Sequence, residues 1–148
     1  MKAAWAVSLL IILYLVAQWL MLRPHPEDRR RMRLREQAQK SGWQVRLLKP
    51  PAWWTTAPAL VARYSWPCPQ QALPRCRFLR DAEGRWQALP AGPVPALLQR
   101  LRAELLSAVE CESAYLHVYW DESGEASDLA PLPALIDELT SSAIGHMS

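Results

Sequence analysis

Residues 3–22 form a run of twenty residues without a charged side chain, and this run constrains the fold of the chain more than any other feature. A helix rises about 1.5 Å per residue, so such a run spans roughly 30 Å, the thickness of the hydrocarbon core of a bilayer. Trp5 and Trp19 lie near its two ends, where indole rings prefer the headgroup region. The sequence therefore predicts a single transmembrane anchor over residues 1–22.

Two other interpretations of this run fit its length and flanks less well. A cleaved signal peptide has a basic start, an apolar core of about 7–15 residues and a small-residue cleavage site. Only Lys2 precedes the run, and the segment AQWLMLR offers no such site. A buried core helix is the second alternative, but an apolar run of this length at an N-terminus is typical of a membrane span.

Basic side chains flank the run very unequally. Lys2 alone precedes it. The arginines that follow it are Arg23, Arg29, Arg30, Arg31, Arg33 and Arg35. The positive-inside rule then predicts that residues 23–148 lie in the cytoplasm and that the short N-terminus lies outside. We therefore expect a single-pass protein of a bacterial inner membrane, with these arginines at the lipid surface.

Charge is also polarised along the chain. Residues 23–49 carry nine basic and three acidic side chains, whereas residues 103–148 carry nine acidic side chains and no Lys or Arg. Anionic lipid attracts a basic segment by about 1 kcal/mol per Lys or Arg near the surface. Nucleic acid is an alternative partner for the arginines, but their position beside a span favours lipid, and no nucleic-acid partner is expected.

The remaining residues 43–148 suffice for one small domain and are too few for two. The chain has three cysteines, an odd and widely spaced set, which favours reduced thiols over a disulfide framework. Reduced thiols agree with a cytoplasmic location. If the domain lay on the other side of the membrane, Cys68 and Cys76 would be the pair to expect.

The basic segment, residues 23–42, has the signals of a second helix. Pro26 suits a first helical turn, and acidic residues follow it where they favour a helix N-terminus. Gly42 is a good C-terminal stop. Because the apolar residues between them make no full stripe, the sequence predicts a solvated juxtamembrane helix and not a core element.

Beyond Gly42 the pattern changes to strands. Apolar residues alternate with polar ones, or β-branched and aromatic residues dominate, in several short segments. A turn containing Gly84 joins two of these segments and predicts a hairpin. The predicted strands are residues 43–49, 60–66, 75–80, 85–89 and 114–120.

Two segments have helical spacing of their apolar residues. Residues 93–110 place leucines and valines along one helical face, and residues 131–144 repeat the pattern. The order predicts an α+β fold, in which a small, mostly antiparallel sheet packs on one or two helices. The helix over residues 93–110 is expected to cover one face of that sheet.

The layout of residues 10–42, a span that ends in LRP and continues into a basic polar helix, resembles the YajC family. That family is the small accessory subunit of the bacterial Sec translocase. The Gly-Asp and double-glycine strand pattern of the family is absent after the helix, and SGWQVRLLKPPAWW stands in its place. The Sec function is therefore not carried over. The chain otherwise resembles uncharacterised small inner-membrane proteins of Gram-negative bacteria.

No motif for catalysis, a metal or a cofactor stands out. The three histidines His25, His117 and His146 are far apart in sequence, and neither a phosphate-binding glycine motif nor a serine-hydrolase elbow occurs. Asp121, Glu122, Glu125 and Asp128 crowd one segment, but their spacing departs from a calcium loop and predicts a solvated loop. We expect a non-enzymatic protein without cofactors.

Aromatic residues supply the candidate contacts. Trp53 and Trp54 are adjacent, so an extended backbone would turn at least one of them away from a core. Tyr115, His117 and Tyr119 share one face of a predicted strand, either as a half-buried sheet face or as a binding surface. The eight tryptophans of the chain fit either a Trp-rich core or an exposed contact patch.

Two functional hypotheses follow from the anchor, the charge polarity and the aromatic residues. In the first, the soluble domain binds another protein as an assembly or regulatory subunit of a membrane complex. In the second, a membrane-tethered domain binds a ligand or acts as an enzyme through Tyr115, His117 and Tyr119, together with the Asp121–Glu122 loop. The second hypothesis requires these groups to converge.

Overall fold

The computed structural model of the protein describes residues 1–70, 72–101 and 106–145. These residues divide into two compact units, Met1–Arg33 and Leu34–Ser148. The helices are α1 (Lys2–Met21), α2 (Pro26–Lys40), α3 (Ala96–Arg100) and α4 (Ala134–Gly145), with a 3-10 turn at Ala126–Leu129. The strands are β1 (Gln44–Leu48), β2 (Val61–Pro67), β3 (Leu73–Arg80), β4 (Trp86–Ala88), β5 (Ala108–Ser113) and β6 (Tyr115–Trp120).

The first unit contains the apolar helix that the sequence predicts. Helix α1 has 20 residues and a mean hydropathy of 2.0, and none of its residues is buried. Its length and composition are sufficient for a membrane span, and a signal sequence can have both properties. At its C-terminal end the Arg23 guanidinium lies 4.2 Å from the centre of the Trp19 ring, a cation–π contact.

The second unit is built on one six-stranded sheet in the order β1-β2-β6-β5-β3-β4. Every neighbouring pair is antiparallel. The predicted α+β class is confirmed, and so is the hairpin of β3 and β4 around Gly84, whose φ is +81°. The last two strands, β5 and β6, lie in the middle of the sheet.

One face of the sheet carries the main core. Leu116, Val118 and Trp120 of β6 point to this face, because alternate residues of a strand share a side. Helices cover it with Leu98 of α3 and with buried residues of α4. The sequence predicts one or two helices on the sheet, and side chains of three helices contribute to this core.

The second half of α2 is one of those three helices. Leu34 and Ala38 are 5% and 1% exposed and belong to the main core. The prediction of a wholly solvated helix is therefore wrong for this half. Two apolar residues four positions apart lie on one helical face, and this short stripe suffices to dock the last two turns. Gly42 follows with a φ of +105°, which a glycine accommodates after a helix end.

The predicted helix over residues 93–110 is wrong in extent. Helix α3 ends at Arg100, because Leu101 is already extended with a ψ of 144°. Residues 102–105 lie outside the described part. From Ala108 the chain is strand β5, which places Val109 and Cys111 in the core and the intervening Glu110 on the opposite face. An alternation of this kind overlaps the helical spacing of the leucines before it, so the two periods are hard to separate by sequence alone.

A smaller apolar cluster lies on the other face of the sheet. It consists of Trp54, Val61, Ala108 and Tyr119. None of its described members or partly buried neighbours comes from a helix. The segment between β1 and β2 supplies the tryptophans that cover this end of the face.

Candidate functional site

The face opposite the helices, here called the Tyr119 face, brings together polar side chains from four strands. It comprises Arg63 and Ser65 of β2, Tyr115, His117 and Tyr119 of β6, Glu110 of β5 and Arg77 of β3. The register sets His117 opposite Ser65 on one side and opposite Glu110 on the other. The strand alternation thus places the three predicted β6 residues on one surface.

Ser65 and His117 form a buried hydrogen-bonded pair. The Ser65 hydroxyl oxygen lies 2.7 Å from His117 Nδ1, and the two residues are 5% and 7% exposed. Burial lowers the pKa of His117, and the nearby charge of Arg63 lowers it further. The imidazole is therefore held neutral near pH 7.

Glu110 joins a second set of polar groups on this face. Its carboxylate accepts hydrogen bonds from the Tyr119 hydroxyl at 3.2 Å and from Arg77 Nε at 3.3 Å. Burial raises the pKa of Tyr119 to about 12, and the charge of Glu110 acts in the same direction. Glu110 is thus engaged with Arg77 and Tyr119. A nucleophile–base pair such as Ser65 and His117 is normally oriented by a third group, and Glu110 makes its hydrogen bonds elsewhere.

Trp53 and Trp54 both contact Tyr119. Their ring centroids lie 6.1 and 5.8 Å from that of Tyr119, with steep interplanar angles. A turn in which the Trp54 N–H donates to the Pro51 carbonyl replaces the extended backbone that the sequence suggested. Because the segment is not extended, both rings reach Tyr119, with Trp53 partly buried and Trp54 9% exposed.

The tryptophan excess of the second unit belongs mostly to its interior. Trp43, Trp54 and Trp120 are buried, and none of the six tryptophans of this unit is exposed. Tyr115 is the most accessible aromatic residue of the Tyr119 face at 38%, and its ring stacks on the His117 imidazole with centroids 5.7 Å apart. Of the five aromatic candidates, Tyr115 and Trp53 are therefore the ones that a partner can reach.

Positive charge is in excess along one end of the face. Arg46 of β1 lies directly opposite Arg63 of β2, and like charges placed opposite each other destabilise a sheet. The Nε atom of Arg63 is buried without a hydrogen-bond partner. At the other end, Arg75 forms an exposed pair with Glu112 at 3.7 Å. This distribution favours contact with acidic groups at the Arg46–Arg63 end.

Glu122 lies away from the Tyr119 face. Its carboxylate accepts hydrogen bonds from Arg35 Nε and Nη2, at 2.6 and 2.7 Å, and from the Tyr64 hydroxyl at 2.7 Å. Its side chain is 4% exposed, and its backbone has a φ of +63°. The prediction of a solvated acidic loop is wrong for this residue, and Glu122 does not converge with His117 as the second hypothesis required.

The predicted lipid-surface arginines fall into different environments. Arg30 and Arg31 pair with Glu27 at 2.8 and 3.6 Å, while Arg29 and Arg33 are exposed. Arg35 instead belongs to the second unit and binds Glu122, and the hydrogen bond to that carboxylate raises its pKa. Arg35 is therefore no longer counted among the predicted lipid-surface arginines.

Sequence reasoning missed Ser65 and Arg63 as residues of this face, and it missed the contact between Glu122 and Arg35. The two β2 residues had a signal, because the alternation of residues 60–66 places them on the face opposite Tyr64. The Glu122–Arg35 contact had none, since the two residues are 87 positions apart in the chain. Within the described residues, no three His, Cys, Asp or Glu side chains cluster as metal ligands. His146 lies outside that part of the chain.

Comparison with known proteins gives no relative for this chain. No family model, no curated protein and no solved structure matches it. The resemblance of residues 10–42 to the YajC family therefore stays a prediction. Function has to be inferred from the side chains themselves.

Proposed function

We propose that this chain is a single-pass inner-membrane protein whose C-terminal domain lies in the cytoplasm and binds another protein. Its role is that of an assembly or regulatory subunit in a membrane complex. The observation that carries the proposal is the Tyr119 face, a sheet face that no helix of the described residues covers and that presents an accessible aromatic residue among charged groups. Partner surfaces in proteins are enriched in aromatic residues and arginine.

The anchor is supported by α1 and its flanks. The helix has the length and hydropathy of a span, and the stacking of Arg23 on Trp19 suits the water–lipid interface. The excess of arginine after the span favours the cytoplasmic side. Lipid contact is assigned to Arg23, Arg29, Arg30, Arg31 and Arg33.

The membrane side is tested with cysteines at exposed positions. We substitute Ala82→Cys in the exposed turn after β3, and Ala3→Cys at the N-terminal end of the span, each with the native cysteines replaced by serine. A membrane-impermeant maleimide applied to intact spheroplasts should label the Ala3→Cys variant and spare Ala82→Cys until the membrane is lysed. Labelling of Ala82→Cys before lysis would reverse the orientation.

The partner surface is tested by photocrosslinking in intact membranes. A photoreactive amino acid replaces Tyr115 on the Tyr119 face or, as the matched control, Ser141 on the exposed side of α4. We expect a discrete adduct of constant mass from position 115 and none from position 141. Adducts of equal yield from both positions, or none from position 115, would contradict the proposal.

The nature of the contact is tested with charge variants. Because Arg46 and Arg63 lie opposite each other and neither has an ion pair among the described residues, the partner should place acidic groups there. Arg46→Glu should therefore weaken the adduct from position 115 at least tenfold. Arg100→Glu, on α3, serves as a control of equal charge change and should leave the yield unchanged.

A ligand-binding or enzymatic role of the Tyr115, His117 and Tyr119 face is the second candidate. The specific observation in its favour is the Ser65–His117 hydrogen bond, which holds one ring nitrogen and leaves the other for a ligand. A binding site requires reagents to reach that ring. Diethyl pyrocarbonate should then modify His117 in the native protein at a rate comparable to His25. Modification of His25 alone would remove this candidate.

A further inference from the structure

Cys76 and Cys111 occupy directly opposite positions on β3 and β5. Side chains at such positions share one face of the sheet. Opposite residues of an antiparallel ladder have Cα atoms about 4.5 or 5.5 Å apart, and both distances fall within the range of about 4.4–6.8 Å that disulfides span. Both residues are free thiols, so their positions on the two strands are compatible with a disulfide between them.

The two thiols differ in accessibility. Cys111 is 0% exposed and belongs to the main core, whereas Cys76 is only partly buried. Cys76 lines a surface pocket of about 390 Å³ between β3, the proline-rich segment after β4, and α4. Residues that line this pocket with it include Phe78, Ala88, Pro93, Leu139 and Ala143. A small molecule in the pocket can therefore meet Cys76 before it can meet Cys111.

Their reactivities differ in the same sense. A hydrogen bond from the Cys111 thiol, assisted by one from the Cys111 backbone, lowers the pKa of Cys76. The hydrogen bond to Cys76 and burial raise the pKa of Cys111. Because the thiolate is the attacking species in disulfide exchange, the accessible cysteine is also the more nucleophilic one at neutral pH.

We propose that Cys76 and Cys111 form a thiol–disulfide exchange site that reacts with low-molecular-weight disulfides in this pocket. In the first step the Cys76 thiolate attacks one sulfur of the small disulfide. A mixed disulfide forms on Cys76, and the other half leaves as a thiolate that takes up the proton released by Cys76. In the second step Cys111 loses its proton and attacks the Cys76 sulfur. The second half leaves as a thiol.

The reaction is balanced and reversible. The cysteine pair is oxidised by two electrons to one disulfide, and the small disulfide is reduced to two thiols. Excess thiol drives the same steps backwards. The product ties β3 to β5 covalently, so the redox state of the surroundings sets whether the sheet is cross-linked next to the pocket.

Cys68, the third cysteine, takes no part in this exchange. Burial raises the pKa of Cys68, and its Sγ lies 4.0 Å from the Trp66 carbonyl oxygen. It lines a different pocket, beside Pro133 and Ile136. The sequence favoured Cys68 as the partner of Cys76 in an oxidising compartment, but the strand register sets Cys111 opposite Cys76 instead.

The test uses the purified full chain in detergent, with oxidised glutathione as the probe. After acid quenching and alkylation, peptide mass spectrometry should identify a Cys76–Cys111 disulfide and an alkylated Cys68. The Cys111→Ser variant should stop at a mixed disulfide of Cys76 with one glutathione. The Cys68→Ser variant is the matched control and should behave like the wild type.

Several results would overturn the proposal. A disulfide that contains Cys68, or glutathione attached first to Cys111, would assign the reactivity to another thiol. A further contrary result is that all three cysteines of the native protein stay reduced during exposure to oxidised glutathione, and so are alkylated afterwards, yet react with it in urea. That result would show that the pocket does not admit the probe. Because the wild-type measurement decides each of these outcomes, the proposal does not depend on the folding of a variant.

Discussion

Arg35 and Glu122 form a two-pronged ion pair across 87 positions of the chain, with nitrogen–oxygen distances of 2.6 and 2.7 Å. The pair joins the C-terminal half of α2 to the segment that follows β6, and the Tyr64 hydroxyl donates a third hydrogen bond to the same carboxylate. Paired arginine–carboxylate hydrogen bonds of this geometry are among the stronger ones in proteins. Within the second unit, the pair therefore holds residues 34–40 of α2 against the segment that follows β6.

Removal of this carboxylate charge should destabilise the domain. Glu122→Gln removes the charge that pairs with Arg35 and sets an amide NH2 group against one of the donors that now meet a carboxylate oxygen, and we expect the free energy of unfolding to fall by about 2–3 kcal/mol. Urea denaturation followed by tryptophan fluorescence measures the change. Glu36→Gln, which breaks an exposed pair with Lys40, is the control and should change it by less than about 0.5 kcal/mol. Equal effects of the two variants would contradict the assignment.

The buried His117 should make the stability of the domain depend on pH. Its pKa in the folded state lies below the ordinary value of 6.5, so the unfolded chain binds the proton more readily. Stability is then fully present above about pH 6.5 and decreases as the pH falls below it, until the folded-state pKa is passed. Urea titrations between pH 8 and pH 5 should give a smaller decrease for His117→Asn than for the wild type, whereas His25→Asn should keep the full decrease.

The two adjacent tryptophans should differ in their contribution to stability. Trp54 is buried against Tyr119, so Trp54→Ala should lower the free energy of unfolding by about 3–4 kcal/mol. Trp53 is only partly buried, so Trp53→Ala should cost about 1–2 kcal/mol. Chemical denaturation of the two variants side by side gives the comparison. A larger loss from Trp53→Ala would mean that the more exposed ring holds the cluster together.

The helix end at Gly42 should tolerate no side chain. Its φ of +105° is strained for any other residue, and an added Cβ would meet the Trp66 ring at 3.2 Å. We expect Gly42→Ala to lower the free energy of unfolding by about 1–2 kcal/mol. Gly92→Ala is the matched control, since its Cβ would meet only the Pro90 carbonyl oxygen at 3.8 Å. A neutral Gly42→Ala variant would show that the turn adapts.

The parts of the fold that sequence predicts well are those with one dominant period. The apolar run gives α1, and the strict alternation of residues 60–66 gives β2. Prediction failed where two periods overlap, as in the segment that contains α3 and β5, since leucines at helical spacing lead directly into an alternating strand. Turn chemistry sets the Trp53–Trp54 segment, which folds back through a hydrogen bond from the Trp54 N–H to the Pro51 carbonyl.

The candidate site was predictable only in part, for a physical reason. Tyr115, His117 and Tyr119 belong to one strand, so alternation alone places them on one face. Ser65 and Glu110 reach that face through pairing between strands, which depends on the order of the sheet. The Arg35–Glu122 pair depends on the packing of a helix that the sequence assigned to solvent. Contacts between distant segments of this kind have no local pattern.

The strand order β1-β2-β6-β5-β3-β4 has a consequence for how the protein matures. The two hairpins made first, β1 with β2 and β3 with β4, touch each other only through β5 and β6, which are synthesised later and inserted between them. A nascent chain that has emerged as far as β4 therefore holds two separate edges with unpaired backbone groups. These edges stay open to pairing with other chains until β5 and β6 have been synthesised.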